Sequence, residues 1–162
     1  MRDEARQASP LSTRRPTALY RLAVAGAGTG DVESLFSYLL RLAAQHHLTP
    51  RVLVASLLPQ QPEWTECGLT LPWGWDKNSG MHLIGINDVA GRWARLLEAL
   101  TGNPEVRFTT LNALKRHISG NELLCRHNRV CLACIRSDAE RGQASYGRLL
   151  WRLADVKCCP IH

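Results

Sequence analysis

The chain has 162 residues, enough for one good core or two small ones and too few for a large multidomain enzyme. Apolar residues at 45% and charged residues at 21% exclude wholesale disorder. Twenty Lys and Arg against fourteen Asp and Glu leave a formal charge of +6, which favours anionic partners without naming one.

Residues 1–17, rich in Arg, Ser, Thr and Pro and without periodicity, are expected to form a flexible leader. The start MRDEARQASPLSTRRP lacks the apolar stretch of a signal peptide, and no segment reaches the roughly 18 to 20 apolar residues that span a bilayer. A soluble intracellular protein with no membrane contact is expected. Leu19 to Ala25 predicts a short strand running into Gly26-Ala27-Gly28-Thr29-Gly30. That spacing is G-x-G-x-G, not the dinucleotide fingerprint G-x-G-x-x-G, and Asp31-Val32 stand where a phosphate-binding loop has Lys-Ser/Thr. A carboxylate at Asp31 repels phosphate but suits the N-cap of a helix.

From Val32 the apolar residues Val32, Leu35, Phe36, Leu39, Leu42 and Ala43 recur at the spacing of one helix face. Thr49-Pro50 supplies an N-cap and a first-turn proline for a second helix that carries Val52, Leu53, Leu57 and Leu58 and ends at Pro59. Residues 60–86 read as a loop-rich insertion with Trp64, Trp73 and Trp75, which suit anchors of a small irregular core better than a base-stacking platform. Asn87 caps a third helix with Val89, Trp93, Leu96, Leu97 and Leu100 on one face, stopped by Gly102-Asn103-Pro104. A fourth is predicted from Thr109 or Thr110, with Leu111, Leu114 and Ile118. The last two helices are compatible with a helix-turn-helix, which would set Lys115, Arg116 and His117 where phosphates are contacted.

The strongest chemical signal lies near the C-terminus. Six cysteines are present, and five lie from Cys125 onward, which in a reducing compartment reads as metal binding. Cys131-Leu132-Ala133-Cys134 is followed after 24 residues by Cys159-Pro160-Ile161-His162. Two residues between ligands let one tight turn present both to the same ion, and two such knuckles close a tetrahedron of soft, zinc-preferring donors. One structural Zn2+ per chain is expected, held by Cys131, Cys134, Cys159 and His162. Cys158 competes with Cys159 but wastes the Pro160 turn, while Cys125 and His127 read as packing or facing solvent.

Between the knuckles, Tyr146, Leu149, Leu150 and Leu153 fit a helix face, whereas Leu149, Trp151 and Leu153 fit a strand face; a helix is preferred, with Trp151 in the core beside the metal. Arg126, Arg129, Arg148 and Arg152 join Lys115 and Arg116 as candidate nucleic-acid contacts. The chain therefore reads as mainly α, a small helical bundle with a helix-turn-helix-like part over 18–120 followed by a zinc-finger segment over 121–162. Catalysis is not expected. A zinc deaminase needs H-x-E before P-C-x-x-C, but no His here is followed two residues later by Glu, and Val130 precedes Cys131. Neither a Ser/His/Asp set nor a paired-carboxylate set is legible.

Three stretches carry a family likeness. They are Gly30-Asp31-Val32-Glu33-Ser34-Leu35-Phe36 running to Arg41-Leu42; Leu100-Thr101-Gly102 followed by Thr110-Leu111; and Cys131-Leu132-Ala133-Cys134-Ile135, Tyr146-Gly147-Arg148-Leu149-Leu150-Trp151-Arg152-Leu153 and Cys159-Pro160-Ile161-His162. In these the chain resembles the TniQ/TnsD family, target-selection proteins of transposons that also use a transposase and an AAA+ ATPase. The resemblance spans about residues 28–162. It implies an N-terminal helical part, a zinc finger, a non-enzymatic adaptor role and a prokaryotic, nucleoid-associated place in the cytoplasm. The implied partners are the ATPase, the transposase indirectly, and target DNA or a guide-RNA effector complex. Val130 and Leu132 depart from the family's usual aromatic-Cys-Pro phrase, and relatives continue beyond the position of His162, so a fragment or a minimal member is expected. The alternative is a stand-alone zinc-binding transcriptional regulator that recognises DNA by itself.

Overall fold

The computed structural model describes residues 17–69, 79–118, 122–125 and 127–162, with the backbone alone at Ser79 and Met81. The expected leader apart from Thr17, Trp73, Trp75 and Arg126 lie outside the described residues. Among the described residues six α-helices are joined by shorter turns: α1 (Leu35–Gln45), α2 (Pro50–Val52), α3 (Pro62–Glu66), α4 (Ser79–Ile84), α5 (Asp88–Thr101) and α6 (Leu132–Glu140). None is long and apolar enough to cross a membrane.

The predicted apolar stripe forms α1, which buries Leu35, Tyr38, Leu39, Leu42 and Ala43. Its N-cap is Ser34, whose Oγ accepts from the Ser37 amide at 3.3 Å, and not Asp31. The reason lies just upstream. Glu33 donates its amide to the Ala25 carbonyl at 2.9 Å and bridges Arg148, so the backbone stays extended through Ser34 and turns only afterwards. Thr49 and Pro50 start the next helix as expected, with Thr49 Oγ1 accepting from the Val52 amide. The turns then continue as a wide π-type stretch over Leu53–Leu57 and a 3-10 turn over Leu58–Gln60.

Within the segment expected to be loop-rich, α3 and α4 are helical, and Trp64 of α3 is core, meeting Trp93 of α5 edge to face at 5.4 Å. That contact and the apolar stripe of α5 place Trp93, Leu96, Leu97 and Leu100 at the centre of the hydrophobic cluster with Leu35, Leu39, Leu53 and Leu58. Asn87 caps α5 by accepting from the Ala90 amide at 2.8 Å, and Gly102 ends it in the left-handed conformation (φ 64°).

Two expectations are corrected. Leu19 to Ala25 is not a strand: among the described residues there are only two isolated bridges, Glu33 with Arg148 and Leu124 with Leu153. The segment buries Leu19, Leu22 and Val24, and its backbone is satisfied by other means. Leu19 donates to the Leu100 carbonyl, and the Leu22 carbonyl accepts from Tyr38 and Asn103 side chains at 2.9 and 2.8 Å. Nor does the α-helix expected from Thr109 or Thr110 form. The chain makes 3-10 turns over Pro104–Thr109 and Leu111–Leu114, broken at an extended Thr110. Thr110, extended, accepts from the Asn112 amide with its hydroxyl, a capping bond that starts a new turn where a continuous helix would have none. A helix-turn-helix is not confirmed.

Candidate metal centre

Cys131 is the N-cap residue of α6 and Cys134 sits in its first turn, so the start of one helix aims both thiols to one side. The turn through Pro160 brings Cys159 and His162 against them, and the donor atoms of Cys131, Cys134, Cys159 and His162 all lie within 4.8 Å of one another. Cys134 is buried, Cys131 and Cys159 are half-buried, and His162 is exposed. The remaining candidates stand apart from this ring. Cys125 Sγ points to the His127 and Trp151 carbonyls at 3.0 and 3.6 Å, and Cys158 is exposed.

The ring has the dimensions of a small tetrahedron. Bonds of about 2.3 Å to sulfur and about 2.05 Å to nitrogen give tetrahedral edges of about 3.8 Å between sulfurs and about 3.6 Å from sulfur to nitrogen. Cys134 Sγ is 3.6 Å from Cys159 Sγ, and His162 Nδ1 is 3.6, 3.4 and 3.6 Å from the sulfurs of Cys131, Cys134 and Cys159. Four donors so arranged are compatible with a metal site and fill a tetrahedron without an open position. Burial, then hydrogen bonds with Cys159 and Cys131, push the Cys134 thiol up to about 12. The Ile161 amide, helped by His162 and against burial, pulls Cys159 down to about 6. Cys131, Cys134, Cys159 and His162 would hold a cation here, and binding it would displace the remaining thiol protons, Cys134's among them, to solvent.

Two arginines hold the knuckles in register. Arg129 half-buries its guanidinium and donates to the carbonyls of Leu153 (2.9 Å), Ala154 (3.3 Å) and Val156, tying the approach to α6 to the approach to Cys159. Arg148 is 4% exposed and grips Asp138 of α6 through two bonds of 3.1 and 3.0 Å, with its Nε 3.6 Å from Asp31. The same guanidinium lies 4.4 Å from the Tyr146 ring centroid and 5.0 Å from that of Trp151. Around it the chain joins the N-terminal body: Ser34 donates to Gly147, Gly147 to Ser37 Oγ, and Leu149 to Val32. In place of the helix preferred for Tyr146, Leu149, Leu150 and Leu153 stands a 3-10 turn, Leu149–Arg152, set between the two bridges. Trp151 is buried as expected and lines a cavity of about 460 Å3 with Cys131 and Cys159.

These positions redistribute the candidate nucleic-acid contacts. Arg148 and Arg152 are 4% and 7% exposed, and Arg129 is spent on carbonyls, so none of the three faces a polyanion. Lys115 and Arg116 are exposed, and Lys115 pairs with Asp88 at 2.7 Å. Sequence reading missed Asp138. The signal was its place four residues after Cys134, on the face of α6 that must turn inward if Cys134 does.

A family model for TniQ matches residues 25–162, from the start of the Gly-rich turn through the last residue of the Cys/His ring. The chain belongs to the TniQ family. TniQ membership carries a transposition-associated target-selection role. No curated protein matches the chain.

Proposed function

We propose that this TniQ-family chain is a non-enzymatic adaptor that chooses where transposition occurs, linking target DNA or a guide-RNA effector complex to an AAA+ ATPase and, through it, to a transposase. The observation that carries the reading is the family match over residues 25–162. The closed Cys/His ring supports it, because four protein donors leave no position for a substrate and suit a structural ion. That ion is Zn2+, one per chain: three sulfurs and an imidazole nitrogen are a zinc-preferring set. The site of action is the prokaryotic cytoplasm, at the nucleoid.

A protein without chemistry of its own acts by differential binding, stabilising its partner at one place over others. Lys115 and Arg116, both exposed, remain candidate DNA contacts in this reading. The test is direct binding of the immobilised, zinc-replete chain to a transposon AAA+ ATPase, with and without DNA. Saturable ATPase binding is expected. Binding of a specific DNA site with no affinity for the ATPase would favour a stand-alone transcriptional regulator.

A further inference from the structure

The positive charge of this chain is unevenly available. Around the metal ring Arg129, Arg148 and Arg152 are committed to carbonyls, to Asp138 or to burial. On the opposite part of the sequence, Arg92 and Arg95 stand exposed on one face of α5, and Arg107, Lys115 and Arg116 are exposed on the turns that follow. Lys115 reaches back to Asp88 at the start of α5, so turn and helix form one surface. Asp88 is held below the usual carboxylate range by Lys115, with smaller contributions from Arg92 and Arg95, which places all three cations around it.

A groove of about 200 Å3 runs between α5 and these turns, lined by Gly91, Arg95, Arg107, Phe108, Thr110 and Asn112. Its walls are close because Gly91 has no side chain: a Cβ there would sit 2.5 Å from Asn112 Nδ2. Phe108 is 46% exposed, and the Arg107 guanidinium packs 4.9 Å from its ring centroid. The ring thereby holds one arginine at the rim of the groove that Arg95 also lines.

We propose that this face of α5 and the 3-10 turns after it docks the sugar-phosphate backbone of DNA, with Arg95 and Arg107 as its principal contacts and Phe108 as the residue that positions Arg107. The proposal rests on the DNA-targeting reading above and locates its surface. Two guanidinium forks on facing walls match the dense, regular phosphates of a duplex, and the apolar Phe108 edge suits a deoxyribose. Recognition of this kind is independent of base sequence.

The experiment uses the full, zinc-replete chain and a labelled duplex of random sequence, with affinity read by fluorescence anisotropy from low to physiological salt. Arg95→Gln with Arg107→Gln is expected to weaken binding about tenfold or more at low salt and to flatten the slope of log affinity against log salt by about 1.8, the release expected for two phosphates. Phe108→Leu is expected to cost about threefold. The control Arg51→Gln with Arg136→Gln, also exposed residues, is expected to leave binding within about twofold. Salt-dependent binding that is unchanged in the Arg95/Arg107 variant overturns this surface and leaves the targeting reading standing. Absence of DNA binding by the parent chain overturns both. Displacement of the duplex by a poly-glutamate peptide as readily as by unlabelled duplex overturns the assignment to DNA.

Discussion

Arg148 and Asp138 face each other inside the protein, the first 4% exposed and the second fully buried, joined by two bonds of 3.1 and 3.0 Å. This pair couples α6, which carries Cys131 and Cys134 at its start, to the segment Gly147–Leu149, itself hydrogen-bonded to the start of α1. Breaking one partner strands a buried charge, which costs about 3 to 5 kcal/mol, whereas removing both costs far less. Asp138→Asn and Arg148→Met are each expected to lower unfolding stability by about that amount, and Asp138→Leu with Arg148→Met to recover most of it. Chemical denaturation of the four proteins measures the cycle, and additive losses would show that the pair is not the link.

Acid titration separates two buried carboxylates by sign. Burial opposes ionisation of Asp138, but hydrogen bonds and charge from Arg148, then Arg141, outweigh it and hold the carboxyl below its ordinary value. Its stabilisation is present above the unfolded-state value of about 4 and is lost as pH falls through the lower folded value. Glu33 is the reverse: burial raises its carboxyl in spite of Arg41, Ser37 and the Ala25 amide. Its protonation favours the fold, so its contribution is fullest below about 4.5 and is lost as pH rises through the raised value. The stability difference between parent and Asp138→Asn is thus expected to shrink on acidification. That between parent and Glu33→Gln is expected to move in the parent's favour. Urea denaturation between pH 3 and 7 checks both, and slopes of the same sign would contradict the assignment.

Removing the metal is expected to unfold one part and spare another. Zinc binding by small modules supplies on the order of 10 to 16 kcal/mol of apparent free energy, more than a segment with so small a core can replace. On chelation, or in Cys134→Ser, amide hydrogens of Leu132–Glu140 should lose exchange protection while those of Leu35–Gln45 and Asp88–Thr101 keep most of theirs. Equal loss across all three helices would mean that the ring supports the whole chain.

Two glycines of one turn should respond differently to alanine. Gly26 has φ 64°, and a Cβ there would lie 2.5 Å from the Asp31 carbonyl oxygen, a backbone atom that would have to shift. Gly28 has φ 76° but nothing within 4 Å of its would-be Cβ. Gly26→Ala is expected to cost about 2 to 3 kcal/mol and Gly28→Ala about 1 kcal/mol in thermal or urea unfolding. The turn therefore exists to bring Asp31 close beneath Gly26 and beside Arg148, which agrees with the absence of a phosphate-binding pattern in its sequence.

Signals local in sequence were legible: the apolar stripe of α1, the caps at Thr49 and Asn87, the stop at Gly102, and the two knuckles with Cys159 in preference to Cys158. Each depends on spacing or on one residue's backbone preference. The features that misled depend on partners far away in the chain. Leu19 to Ala25 has strand-like residues but no strand to pair with, because α5 and the Asn103 side chain take its hydrogen bonds. Asp31 lost the cap to Ser34 because Arg148, more than a hundred residues later, holds the chain extended. A basic residue in a knuckle looks like a phosphate ligand in one dimension. Arg129, half-buried, and Arg148, buried, are instead struts beside the knuckles, as Asp138 and the carbonyls of Leu153 and Ala154 reveal only in three.

The most direct test of the adaptor reading is where the ATPase assembles. Footprinting of the AAA+ ATPase along a DNA carrying the target, with and without the zinc-replete chain and with Cys134→Ser as a folding control, measures this placement itself. Expected is ATPase occupancy concentrated at the target only when the intact chain is present, and dispersed when it is absent or carries Cys134→Ser. An unchanged ATPase footprint in the presence of the intact chain would contradict the proposed function.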